Sequence, residues 1–247
     1  MLLYRACKTR YNEKMSVSLR VPLLILCLFQ AQAGEAASVG SPSSVLRKGQ
    51  WVMGLKASGL SRDVTKSDLH AKAEFVGGSH FRGYGLTDWL SAYVGIGGAY
   101  FRVKGNAASD SFGANLAIDG QLKSRLWESE RYGVEWDASA QYLYLGAPHR
   151  KKNNQGHWSE WQLASSVAKS FGPLTPYVGA KFSFVDLAFK IRKDNRITQQ
   201  GTYKQDNIVS PFIGLDWYVG AAESLIVNVE GSFVNGAEAD LSVAYRF

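Results

Sequence analysis

From Trp51 to Phe247 apolar side chains recur at every second position, segment after segment. A period of two marks a strand with one apolar face, because successive side chains point to opposite sides of a sheet. Phe112, Ala114, Leu116, Ile118, Gly120, Leu122 and Leu126 alternate with Asn115, Asp119, Gln121, Lys123 and Arg125. Val134, Trp136, Ala138, Ala140, Tyr142 and Tyr144 alternate with Glu135, Asp137, Ser139 and Gln141. The pattern predicts ten strands, near 51–58, 67–82, 89–103, 112–126, 134–146, 157–170, 176–190, 207–219, 224–234 and 238–247. Several exceed the ordinary strand of ~5–6 residues and match the ~9–11 of a tilted strand crossing a bilayer.

The connections alternate too. Those at 83–89, 127–133, 172–175 and 220–223 are short. Those at 59–66, 104–111, 147–156 and 191–206 are longer and more polar, with a tight turn at Asn235-Gly236 completing the set. Short turns on one side and long loops on the other describe an all-β, antiparallel, up-and-down transmembrane barrel. An even strand count then puts both ends of the barrel on the short-turn side.

Alternation does not say which face is inside. A soluble barrel turns its apolar face inward around a dry cavity, whereas a membrane barrel turns it outward to lipid. Three features favour the membrane. Charges of both signs sit at mid-strand on the polar face: Lys56, Lys72, Glu74, Asp119, Lys123, Glu135, Asp137, Asp216 and Glu230. Aromatic residues gather near segment ends, among them Trp51, Trp89, Tyr100, Tyr142, Tyr144, Trp158, Trp161, Tyr177, Trp217, Tyr218 and Tyr245, as interfacial girdles do. The last strand closes on an apolar-face aromatic, Phe247.

The start of the chain reads as an export signal, residues 1–33. Arg20 precedes the apolar run Val21-Pro22-Leu23-Leu24-Ile25-Leu26-Cys27-Leu28-Phe29, and Ala31-Gln32-Ala33 supplies a small-x-small cleavage pattern. Met15 offers a second start. Residues 34–48 are small and polar and are expected to form a periplasmic tail, with the barrel over 49–247. The net charge of +7 contains +4 from this leader, and the remaining charges are scattered in both signs. No basic stripe remains, which argues against a nucleic-acid partner. Cys7 and Cys27 both lie in the leader, so the exported part has neither a disulfide nor a cysteine-ligated metal, and no cofactor is expected.

The ending Leu241-x-Val243-x-Tyr245-x-Phe247 resembles the C-terminal signature of bacterial outer-membrane β-barrel proteins, in particular small barrels of the OmpA/OmpX kind. The stretch Tyr84-Gly85-Leu86-Thr87-Asp88-Trp89-Leu90 is similar to a periplasmic turn of that class. The resemblance implies the cell outer membrane, contact with its lipid and lipopolysaccharide, and insertion by the barrel-assembly machinery. It implies a structural, surface-interaction or narrow-pore role and no enzymatic activity; fold alone specifies no chemistry.

Two constellations bear on chemistry. Ten strands resemble the omptin proteases, but Asp216-Trp217-Tyr218 stands where an Asp–His pair belongs. His157-Trp158-Ser159 resembles the His-x-Ser of outer-membrane lipid A deacylases. Period two places His157 and Ser159 on one face, and Glu160 or Glu135 would supply the carboxylate that orients the base. The plainer alternative is a rim histidine beside a girdle tryptophan. The loop Pro148-His149-Arg150-Lys151-Lys152-Asn153-Asn154 and the stretch Ile191-Arg192-Lys193-Asp194-Asn195-Arg196 are basic, either solvated tips or grips for acidic polymer outside the cell.

Overall fold

In the computed structural model the alternating segments form one closed antiparallel sheet. The structure describes residues 40–41, 45–66, 69–105, 109–146, 155–193, 196–205, 209–220, 223–233 and 236–247. The export signal, the basic loop 148–154 and residues Asp194, Asn195 and Asn235 lie outside these. In chain order the strands are β1 (Trp51–Lys66), β2 (Leu69–Gly85), β3 (Leu90–Gly105), β4 (Ser109–Ser129), β5 (Val134–Gly146) and β6 (Gln155–Lys169). Then come β7 (Leu174–Lys193), β8 (Arg196–Gln205), β9 (Val209–Val219), β10 (Leu225–Ser232) and β11 (Glu238–Arg246).

β11 pairs back onto β1, from Val52 opposite Arg246 to Leu60 opposite Glu238. Closure removes the row of unpaired amides and carbonyls that an edge strand leaves, a row that hydrocarbon cannot solvate. Eleven strands make ten staves, because β8 and β9 follow one another along β7. Lys204 faces Asp186 and Val209 faces Phe182. At the terminal end, where β1 begins and β11 finishes, the turns are tight, and Gly133 and Gly172 take positive φ (58° and 60°) that a side chain would strain.

Two expected loops are strand instead. β1 runs on through 59–66, and β7 continues to Lys193 before β8 folds back on it. Side chains still alternate there, but the apolar ones change face. On β2 the outward positions pass from exposed Val76 to Glu74 and Lys72, while Phe75, Ala73 and Ala71 point inward and are buried. On β3 exposed Tyr100 gives way to Arg102 and Lys104, while Phe101 and Val103 are buried. Lys72 and Glu74 therefore face outward, contrary to the lumenal placement read from the pattern. The physical reason is height: past the apolar belt the outer face meets water, so polarity belongs outside and apolar residues pack within.

The barrel also changes its stave count along its length. β10 and β11 are short, and their hairpin ends where Ser61 N donates to Ala237 O at 2.8 Å. Beyond that tip β1 pairs directly with β8, Val64 opposite Gln205 and Thr65 opposite Lys204. Ten staves enclose the terminal end and eight the far end.

Over the belt the outer face is apolar and exposed, with Val94, Ile96, Leu122, Leu163, Ile213, Leu215 and Val229 among its members. Lys56, Asp119, Lys123, Asp137, Asp216 and Glu230 are buried in the lumen, as the alternation predicts. The apolar stripe thus faces outward, as in a membrane-spanning β-barrel. Trp51, Trp89, Trp127, Trp136, Trp217, Tyr245 and Phe247 ring the terminal end on the outside. Trp158 and Tyr177, expected in such girdles, are instead buried inside, and Tyr218 points inward half-buried.

Candidate functional site

The lumen holds three layers. At the eight-stave end lies an apolar core that, among the described residues, includes Phe75, Phe101, Leu145, Trp158, Leu187 and Phe189. Below it runs a charged network. Arg62 reaches Glu160 at 3.2 Å and Glu238 at 2.5 Å, and Lys181 reaches Glu238 at 2.8 Å and Glu230 at 3.8 Å. Trp158 Nε1 donates to Glu160 Oε2 at 3.2 Å, and Gln162 Nε2 to Glu160 Oε1 at 2.8 Å. Lys56 pairs with Asp240 at 3.3 Å. Buried charges are costly unless paired and hydrogen-bonded, and this network pairs them, while Arg62 Nε and Nη1 find no acceptor among the described residues.

The third layer comes from the N-terminal segment. Gly40 N donates to Glu230 Oε2 at 2.9 Å, and Ser41 Oγ donates to Asp216 Oδ1 at 2.9 Å. Ser166 Oγ and Lys123 Nζ return bonds to the carbonyls of Gly40 (3.0 Å) and Ser41 (3.2 Å). Leu46 is buried with Val52, Phe81, Tyr93, Ile226 and Ala244 at the terminal mouth, its amide held by Ser91 Oγ at 2.7 Å. Within the segment expected as a periplasmic tail, Gly40, Ser41, Val45 and Leu46 are buried. The reason is electrostatic: among the described residues seven buried carboxylates (Asp119, Asp137, Glu160, Asp216, Glu230, Glu238, Asp240) face four buried cations (Lys56, Arg62, Lys123, Lys181). Backbone and hydroxyl donors from the segment serve the surplus acceptors. Gly40 is required, since a Cβ there would run into the Phe212 ring.

His157 and Ser159 do share a face, but it is the outward one. Glu160, the next residue, points into the lumen, wholly buried and bonded to Arg62, Trp158 and Gln162. Glu135 lies toward the terminal end, where Arg125 holds it at 2.9 Å. The structure thus brings two of the candidate residues together and sends both candidate carboxylates elsewhere. Among the described residues no three His, Asp or Glu side chains converge to hold a metal ion. Leu241, Val243, Tyr245 and Phe247 all face outward and are exposed, with the Tyr245 and Phe247 rings in edge contact at 4.9 Å. Gly40-Ser41 carries no periodic signal, so its donors are not legible in the sequence.

No protein-family description matches the chain, and no curated protein does. Among solved structures it is similar to the translocator domain of the autotransporter NalP from Neisseria meningitidis. That match has 10% identity and a TM-score of 0.48, over 82% of this chain and 89% of that one. It is similar also to the outer membrane protease OmpT from Escherichia coli, at 9% identity and TM-score 0.43, over 80% and 96%. A third match is the outer membrane protein OprG from Pseudomonas aeruginosa, at 9% identity and TM-score 0.41, over 81% and 97%.

Proposed function

We propose that this outer-membrane barrel is a closed envelope element, with a structural or surface-interaction role and no bulk diffusion through its lumen. The carrying observation is the stacking of three seals: an apolar core, a paired charge network and an inserted N-terminal segment. Each alone narrows a ten-stave lumen; wide aqueous channels belong to barrels of ~16–18 strands.

The hydrolase alternative draws on the shared outward face of His157 and Ser159, while Glu160, the carboxylate expected beside them, is committed to Arg62 in the lumen. Planar-bilayer recording of the purified barrel tests the main reading. The expected trace has no large steady conductance, and a porin-sized open state would overturn it. Lipid A mass spectra from cells with and without the gene test the alternative, and are expected to be identical.

A further inference from the structure

The lipid-facing side carries one arrangement that lipid tails do not explain. Along β2 the outward residues, starting at the terminal end, are Tyr84, Arg82, His80, Gly78 and Val76. Arg82 stands between Met53 of β1 and Val94 of β3, and His80 between Leu55 and Ile96. Val94 and Ile96 are 65% and 56% exposed, so a cation and an imidazole sit within an apolar belt.

They are also held in place. His80 Nδ1 donates to the carbonyl of Gly54 on β1 at 3.1 Å, which leaves Nε2 as an acceptor. Arg82 Nε donates to that Nε2 at 3.2 Å. Nε is so engaged on an exposed residue, which leaves the two terminal nitrogens of the planar guanidinium for other partners. Among the described residues they donate to no protein acceptor. A fixed fork of two parallel N–H donors is the geometry that binds a phosphate bidentately.

Height and shape agree with a lipid phosphate. An even stave count with short turns at the terminal end makes that end periplasmic. Arg82 lies one outward position above Tyr84, whose ring packs on Trp51 of the girdle at 4.6 Å. Two residues of tilted strand raise it by roughly 5 Å, within reach of the headgroup level. On the midplane side the wall turns small: Ala57, Gly78 and Gly98 lie side by side across β1, β2 and β3, with Gly59 beyond. A Cβ at Gly59 would meet nothing within 4 Å, and one at Gly98 only a carbonyl at 3.7 Å. The result is a shallow trough leading from the fork toward the midplane.

We infer that Arg82, positioned by His80, binds the phosphodiester of a glycerophospholipid in the periplasmic leaflet, with an acyl chain lying over Ala57, Gly78 and Gly98. The inference rests on the membrane placement and is independent of whether the lumen conducts.

Native mass spectrometry of the detergent-released full barrel tests it, with dioleoylphosphatidylglycerol and dioleoylglycerol as probes. The wild type is expected to keep one phosphatidylglycerol under activation that strips dioleoylglycerol. Arg82→Leu should lower that retention about tenfold, the loss of one bidentate charged contact. Arg82→Lys, which keeps the charge without the fork, should fall between, and Gly98→Leu should weaken binding by filling the trough. Heat-modifiable migration of each variant reports an intact barrel. Equal retention of both probes, or undiminished retention in Arg82→Leu, overturns the inference. So does a dimer that Arg82→Leu dissolves, which would make this face a contact between two copies.

Discussion

Arg62 and Glu160, 98 residues apart in the chain, meet inside the lumen at 3.2 Å with both side chains fully buried. One guanidinium nitrogen serves this carboxylate and that of Glu238, tying β1 to β6 across the lumen and to β11 beside it. The contact stands where ten staves give way to eight, beneath the apolar core.

Removing one member of that set leaves buried charge uncompensated. Arg62→Ala is expected to destabilise the barrel by about 3–5 kcal/mol, because Glu160 keeps only neutral donors. Replacing Arg62 and Glu160 together by Met should cost less than Arg62→Ala alone. Denaturant unfolding in lipid vesicles measures both. A double variant no better than the single one would mean that packing at Arg62, and not its charge, carries the effect.

The outer and inner faces should respond oppositely to polarity. Leu215, exposed on the belt, changed to Arg should cost ~2–4 kcal/mol near the midplane. Gln121, buried in the lumen, changed to Asn should cost under ~1 kcal/mol. The same unfolding assay applies, and equal costs at the two sites would contradict an outward apolar face.

Leu46 lies at the terminal mouth and Ser41 is bonded to Asp216 within the lumen, so loosening them should admit reagents. The only cysteines in the sequence are Cys7 and Cys27, upstream of the barrel, which allows a single reporter at Ser242→Cys in the lumen. Adding Leu46→Asp and Ser41→Ala should speed its reaction with a charged thiol reagent by at least about tenfold, since one buried apolar contact and one charged hydrogen bond are lost. An unchanged rate would show that the segment does not seal the mouth.

Phe247 closes the ladder, its amide donating to Trp51 O at 2.9 Å while its ring faces lipid. Deleting Phe247 is expected to slow or block insertion and leave export untouched. The readout is the heat-modifiable fraction in the outer membrane, wild type and deletion side by side. Identical assembly kinetics would remove any role of the ending as an assembly signal.

The sequence by itself determined the ten staves and, over the belt, their outward face. Leu116, Ile118 and Leu122 alternating with Asp119, Gln121 and Lys123 could satisfy only a strand with unlike sides, and mid-strand charges chose the lumen for the polar one. It did not determine where that rule reverses. Lys72 and Glu74 carry the same period as Lys56, but the solvent each meets depends on height, and height follows from register across the whole barrel. Nor did it reveal that β8 prolongs β9, that β1 meets β8 above a short hairpin, or that Glu160 turns from Ser159 toward Arg62. The bond from Gly40 to Glu230 spans 190 residues between a segment without periodicity and a strand with it. Local pattern encodes which face is apolar; closure of the sheet decides what each face touches.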